Sequence, residues 1–349
     1  MLNILFKLSD LFNNEKIRID RNSSEEMVIG GIILNRIVGT AYNNLEIASL
    51  NKESQRALNI LKKSYEENYD DFIEKMTFIS TIFNDIKFKY AFLKGAYLIP
   101  ALYQRGQRIS NDIDVLINSK DISNVQSILL ENEFVQGFCD ESGNIIPANR
   151  RQVIESRLNY GETVPFLRYY NGKILEIDLN FSIDFKAKNN DEIVNSLLKN
   201  TKKIKTPYFE INTLSEEDFL IHLCCHLYKE ATTYDWVINR RDLMLYKFSD
   251  INLFLHTYGS VEFFEKLYNR IIELNLEKEC YYTFINSSII YQHILSIAGF
   301  NEMLNNLKPE STEYLKRIVK PKDKKTFFYN MSFEEWFLSP NRVDSLTEI

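Results

Sequence analysis

Phe92-Leu93-Lys94-Gly95-Ala96, followed after one short helix by Arg108-Ile109-Ser110-Asn111-Asp112-Ile113-Asp114-Val115-Leu116-Ile117, is the stretch that decides the fold. An apolar run ending at a glycine reads as a strand that feeds a helix start. The second run opens with two carboxylates two residues apart. Successive side chains of a strand point to opposite faces, so Asp112 and Asp114 project together while Ile113, Val115 and Ile117 pack behind them. Adjacent carboxylates repel unless a cation sits between them. Hard oxygen ligands on one rigid edge suit Mg²⁺, particularly when the ion also holds a phosphate.

Downstream, Thr163-Val164-Pro165-Phe166-Leu167-Arg168-Tyr169-Tyr170 and Lys173-Ile174-Leu175-Glu176-Ile177-Asp178-Leu179-Asn180-Phe181 flank Asn171-Gly172. That dipeptide between alternating runs is a hairpin signal. Leu175, Ile177, Leu179 and Phe181 share one face of the second strand, and Glu176, Asp178 and Asn180 share the other.

The strand, the glycine at a helix start and the Asp-x-Asp of the next strand together resemble the DNA polymerase β-like nucleotidyltransferase superfamily. Within it, Lys94-Gly95 with Tyr103, Arg108 and Asp112-Ile113-Asp114 resembles a bacterial family of uncharacterised nucleotidyltransferases, over residues 85–185 and more weakly in the helices beyond. The resemblance implies an α+β fold, a small mixed sheet flanked by helices. It also implies an enzyme that binds an NTP such as ATP with Mg²⁺, in a two-ion site. That enzyme moves a nucleoside monophosphate to an acceptor hydroxyl and releases pyrophosphate. Asp112 and Asp114 would hold the nucleotide-bound ion and bridge the second. Asp178 would complete the second site and act as general base, with Glu176 its competitor one pleat earlier. Lys94, Gly95, Ala96 and Arg108 would face the nucleotide, and Lys247 would reach the triphosphate from the helical part. The plainer reading of Lys247 is a helix-surface ion pair with Asp250, three residues on. The chain departs from the superfamily where many members have Gly-Ser and it has Gly95-Ala96, which removes a hydroxyl contact to phosphate. Backbone N–H groups at the helix start remain available in principle.

The chain has 349 residues, 45% hydrophobic and 26% charged, ordinary values for a globular protein of two or three packed units. Its 20 Tyr and 24 Phe are spread along the whole length and read as core. The formal charge is 42 − 48 = −6, which disfavours a large nucleic-acid partner. Cys139, Cys224, Cys225 and Cys280 lack framework spacing and are expected as reduced thiols in a cytoplasm. The first ten residues do not read as a signal peptide, and no run is long enough to span a bilayer.

Three segments are expected: a helical N-terminal segment over 1–85, a catalytic core over 86–206 and a helical domain over 207–349. Asn22-Ser23-Ser24-Glu25 offers N-cap chemistry to a helix over 25–50, within which Gly30-Gly31 reads as a bend or a close helix contact. Leu58, Leu61, Tyr65, Phe72, Met76, Ile79 and Phe83 recur at helical spacing over 52–84. The core reads as strand 89–94, helix 96–104, strand 112–117, helix 121–132, a less regular stretch over 134–160 in which Gly137, residues 140–144 and Pro147 mark turns between short strands, and the hairpin. Ser215-x-x-Asp218 is a capping box for a helix over 216–230, and helices are expected from there to Leu307.

Several other groupings have two readings. Arg108 either reaches a phosphate or neutralises the carboxylate pair, whereas Arg105 reads as a surface residue. His222 and His226 share a helix face with Glu230. His-x₃-His can ligate zinc, yet spacing supplies no third ligand, so a packed or pocket-lining role is preferred. The cluster Lys316, Arg317, Lys320, Lys322, Lys324 and Lys325 reads as solvated surface. The favoured acceptor is a small molecule or a peptide. The rivals are a tRNA- or protein-modifying toxin of the same fold, which needs a basic groove near Asp112, and a non-catalytic nucleotide-binding scaffold.

Overall fold

The computed structural model describes residues 2–19, 24–183 and 190–349, and the chain is α+β. It divides into two compact units, residues 64–219 and residues 1–63 with 220–349, instead of the three consecutive segments expected. The N-terminal helices therefore group with the C-terminal part. A contact within that unit shows why: the Ser249 hydroxyl donates to the carbonyl of Ser9 at 2.9 Å, tying the first helix to a late one.

In the 64–219 unit, the later part of α4 (Lys52–Asn84) precedes β1 (Tyr90–Phe92), α5 (Gly95–Ala101), β2 (Asp112–Ile117) and α6 (Ile122–Glu131). Then come β3 (Val135–Cys139), β4 (Ile145–Pro147), α7 (Arg150–Tyr160), β5 (Phe166–Tyr170), β6 (Lys173–Asn180), α8 (Asn190–Lys199), β7 (Thr201–Lys205) and β8 (Glu210–Leu214). The eight strands form one mixed sheet in the order β4-β3-β5-β6-β2-β1-β8-β7. Asn171 and Gly172 turn the β5–β6 hairpin with φ of 50° and 75°, both left-handed as a type I′ turn requires.

Three parts of this unit depart from expectation. The stretch after Phe134 contains a full helix, α7, with a reciprocal capping box between Asn149 and Gln152 and a left-handed Gly161 at its end. Strands β7 and β8 lie where the sequence read as a boundary and the start of helices. They join the sheet through a parallel pairing of β8 with β1, where the Thr213 hydroxyl donates to the Phe92 carbonyl at 2.7 Å.

The second unit contains α1 (Leu2–Ser9), α2 (Glu25–Leu34), α3 (Val38–Asn44) and the start of α4. Its later helices are α9 (Glu216–Ala231, from Leu220), α10 (Tyr234–Ile238), α11 (Leu245–Tyr258), α12 (Val261–Leu274), α13 (Glu277–Ile290), α14 (Phe300–Asn306) and α15 (Phe333–Leu338). The amide of Asn44 donates to the carbonyls of Lys7, Leu8 and Asp10, satisfying acceptors that the end of α1 leaves open. Ser24 caps α2, accepting from the Met27 N–H, while Asn22 and Ser23 lie outside the described residues. Beyond the expected helices stands a small antiparallel sheet of β9 (Arg317–Lys320), β10 (Lys325–Phe328) and β11 (Thr347–Glu348), which takes up much of the lysine cluster. No described helix is long and apolar enough to cross a membrane.

Gly30 and Gly31 are not equivalent. A Cβ on Gly31 would meet Leu5 Cδ1 at 2.9 Å, whereas one on Gly30 would meet nothing within 4 Å. The pair thus serves a close helix contact, through Gly31. Gly30→Ala should raise stability by about 0.5–1 kcal/mol through helix propensity. Gly31→Ala must displace buried Leu5 and should fall below it by about 1 kcal/mol. Urea midpoints of the two variants check the difference.

Candidate active site

The site begins with strand pairing. β2 lies between β1, antiparallel to it, and β6, parallel to it. The β2–β6 register sets Asp112 opposite Glu176 and Asp114 opposite Asp178. Directly paired residues point to one face, with strands about 4.8 Å apart. Asp112, Asp114, Glu176 and Asp178 therefore form a two-by-two array of carboxylates. The alternate residues Ile113, Val115, Ile177 and Leu179 are buried on the opposite face, as the alternation predicts.

Such an array is electrostatically costly, and the proton affinities record it. Burial pushes the Asp178 carboxyl well above its usual range, and Asp114, Asp112, Glu162 and Glu176 push it further. Glu176 is pushed up to about 7, by burial first and then by Asp112 and Asp114, against a lowering influence of Lys75. Asp114 is raised by burial; Lys94 opposes that, and Asp112 adds to it.

Two donors offset the charge on Asp114. Lys94 Nζ donates to Asp114 Oδ1 at 2.8 Å, and Asn180 Nδ2 donates to the same oxygen at 3.2 Å. Lys94 is the N-cap of α5 and holds φ 44°, ψ −123°, a conformation that L side chains rarely adopt and that costs about 1–3 kcal/mol. Gly95 is required for close approach: a Cβ there would lie 2.8 Å from Ser110 Oγ and 2.9 Å from Ser110 Cβ. Ser110 in turn donates to Asp112 Oδ1 at 3.1 Å.

The other expected nucleotide contacts are placed as follows. Ala96 is buried, and the N–H groups of Ala96 and Tyr97 donate to the carbonyls of Leu93 and Lys94, so these two amides at the start of α5 are engaged by the chain itself. Arg108 is buried and donates from Nη1 to the carbonyl of Ile109. Arg105 lies on the surface, paired with Asp70 through Nε–Oδ1 at 2.8 Å and Nη2–Oδ2 at 2.5 Å.

Lys247 belongs to the other unit, where its side chain is 5% exposed. It pairs with Glu230 and donates to the carbonyls of Arg241 at 2.7 Å and Asp242 at 3.2 Å. An ammonium has three donors, and these acceptors account for all three, leaving none for a triphosphate. Glu230 also faces His226 Nε2 at 3.4 Å, and the rings of His226 and His222 stack. The histidine pair is thus part of a packed, charged helix interface. Among the described residues, no group of three or more His, Cys, Asp or Glu side chains is arranged to hold a metal ion.

Asn180 and Ser110 escaped the sequence reading as carboxylate partners. Asn180 carried a signal, since it continues the Glu176, Asp178 alternation. The chemistry of the donor set, four hard oxygen-bearing groups on two paired strands, fits a divalent cation. The cation seated on Asp114 is the Lys94 ammonium.

A mixed α+β sheet presenting Asp-x-Asp beside a Lys-Gly helix start defines a nucleotidyltransferase-type fold. The chain belongs to the uncharacterised nucleotidyltransferase family, whose family model matches residues 30–292. It is also similar to the crystal structure of an antigenic nucleotidyltransferase-like protein from Paracoccidioides brasiliensis. That similarity covers 60% of this chain and 92% of the other, at 14% identity and a TM-score of 0.34. No curated protein matches the chain.

The raised carboxyls carry a pH signature. A carboxyl whose folded pKa exceeds its unfolded one binds more protons in the folded state, so stability falls as pH rises. For Glu176 the contribution is complete below its ordinary 4.5 and is lost as pH climbs through about 7. Metal-free protein should lose melting temperature across that window, and Glu176→Gln should flatten the slope. An unchanged slope in Glu176→Gln would mean that the charge array is not formed in solution.

Proposed function

We propose that this protein is a Mg²⁺-dependent, cytoplasmic nucleotidyltransferase that moves a nucleoside monophosphate from an NTP to a hydroxyl of a small-molecule or peptide acceptor. The observation that carries the reading is the register that pairs Asp112 with Glu176 and Asp114 with Asp178. One ammonium, that of Lys94, faces an array of four acidic groups, so the array is best understood as a ligand set for further cations.

Asp112 and Asp114 would hold the ions, with Asp178 joining them. Bound Mg²⁺ supplies charge stabilisation to the attacking and leaving oxygens of the displacement. Asp178, with its raised proton affinity, accepts the proton of the acceptor hydroxyl as that oxygen bonds to the α-phosphorus and the bond to pyrophosphate breaks. Asn180 keeps Asp114 oriented through Oδ1, and Ser110 does the same for Asp112. Gly95 keeps the Lys94 turn packed against Ser110, which fixes the entry into β2.

Two measurements test this. Wild type titrated with each of the four NTPs should show a Mg²⁺-dependent thermal shift with at least one, worth about 2.7 kcal/mol at a hundredfold excess over Kd. Asp112→Asn should abolish the shift while keeping a native circular-dichroism spectrum. No shift with any NTP in wild type would favour the scaffold reading. Once an acceptor is found, Asp112→Asn and Asp114→Asn should lower turnover at least about 10²–10³-fold. Retained turnover in either would remove the carboxylates from the chemistry.

A further inference from the structure

We infer that Lys94 is an internal counter-cation seated on Asp114 Oδ1, and that a divalent ion coordinating this oxygen competes with the ammonium for it. The inference rests on the proposed function and adds a constraint on the order of loading. Bare protein should bind metal weakly, and metal should be taken up together with the nucleotide.

The geometry supplies three reasons. First, Asp114 Oδ1 already accepts from Lys94 Nζ at 2.8 Å and from Asn180 Nδ2 at 3.2 Å. A carboxylate oxygen has two lone pairs, so an ion bonded directly to Oδ1, alone or as one arm of a bidentate carboxylate, must take the place of one of these donors. Second, the contact is sheltered, with side chains of Lys94 and Asp114 only 19% and 6% exposed. Water screens such a pair poorly, so the ammonium is a strong competitor at this oxygen. Third, the β2–β6 register sets Asp112, Glu176 and Asp178 beside Asp114, so the ammonium answers a local excess of acidic groups.

The backbone also bears on the assignment. Lys94 holds φ 44°, where glycine would be unstrained. A lysine persists there although it adds strain, which is expected when its side chain has work at the site. Displacement of the ammonium leaves a sheltered positive charge that needs a new partner. An NTP carries the anionic charge to receive it, so metal and nucleotide should favour each other's binding, reciprocally.

The test is a Mn²⁺ titration without nucleotide, following free Mn²⁺ by electron paramagnetic resonance, on wild type, Lys94→Met and Lys94→Gly. Lys94→Gly is included because glycine suits the backbone there, so it should fold even if the methionine variant does not. Removing a cation from beside a carboxylate should tighten Mn²⁺ binding at least about tenfold in both. A non-hydrolysable NTP analogue should improve Mn²⁺ affinity in wild type more than in either variant. A merely structural Lys94–Asp114 bridge predicts lower melting temperatures with Mn²⁺ affinity no tighter than wild type, and that result overturns the inference. If Mn²⁺ affinity is unchanged in the Lys94 variants while NTP still stabilises wild type but not Asp112→Asn, only the exchange is wrong. If no protein binds Mn²⁺ and no NTP stabilises wild type, the proposed function fails with it.

Discussion

Repulsion among Asp112, Asp114, Glu176 and Asp178 is the constraint around which the 64–219 unit is organised. The parallel pairing of β2 and β6 forces these groups side by side, and apolar packing of Ile113, Val115, Ile177 and Leu179 beneath them holds the register. Neither strand can slip by one residue without turning its carboxylates into the apolar packing and its apolar set out of it. The hydrophobic effect thus locks in an arrangement that electrostatics opposes.

Relief of that opposition is local. One ammonium and one amide converge on Asp114 Oδ1, and one hydroxyl reaches Asp112 Oδ1. These partners come from three places: the Lys94 turn, the Ser110 loop and the last residue of β6. Gly95 makes the first two compatible, since any side chain there would collide with Ser110. Small residues next to the site therefore control charge indirectly, through how closely two loops approach.

Much of this was legible in the sequence because strand periodicity is strict. The bounds of β2 match the reading at both ends, and the Asn171-Gly172 turn fixed the hairpin that carries Asp178. What escaped notice had weak or misleading local signals. Turn residues between Asp140 and Pro147 marked the short strands β3 and β4 but hid α7, whose own capping pair lies just beyond them. β7, Thr201–Lys205, is rich in lysine and precedes a proline, so it resembled a boundary. The unit division falls at Lys63 inside α4, where helical periodicity is uninterrupted and a change of packing partners leaves no trace. Lys247 read as a phosphate ligand because its acceptors, two backbone carbonyls and Glu230, are set by tertiary structure alone.

The two margins of the eight-stranded sheet have a bearing on self-association. One outer strand, β4, ends in Pro147, and the other, β7, places three lysines within five residues. Proline lacks the N–H that a new ladder requires, and clustered lysines repel a second strand of their own kind. The sheet is thereby protected against lengthening by intermolecular pairing.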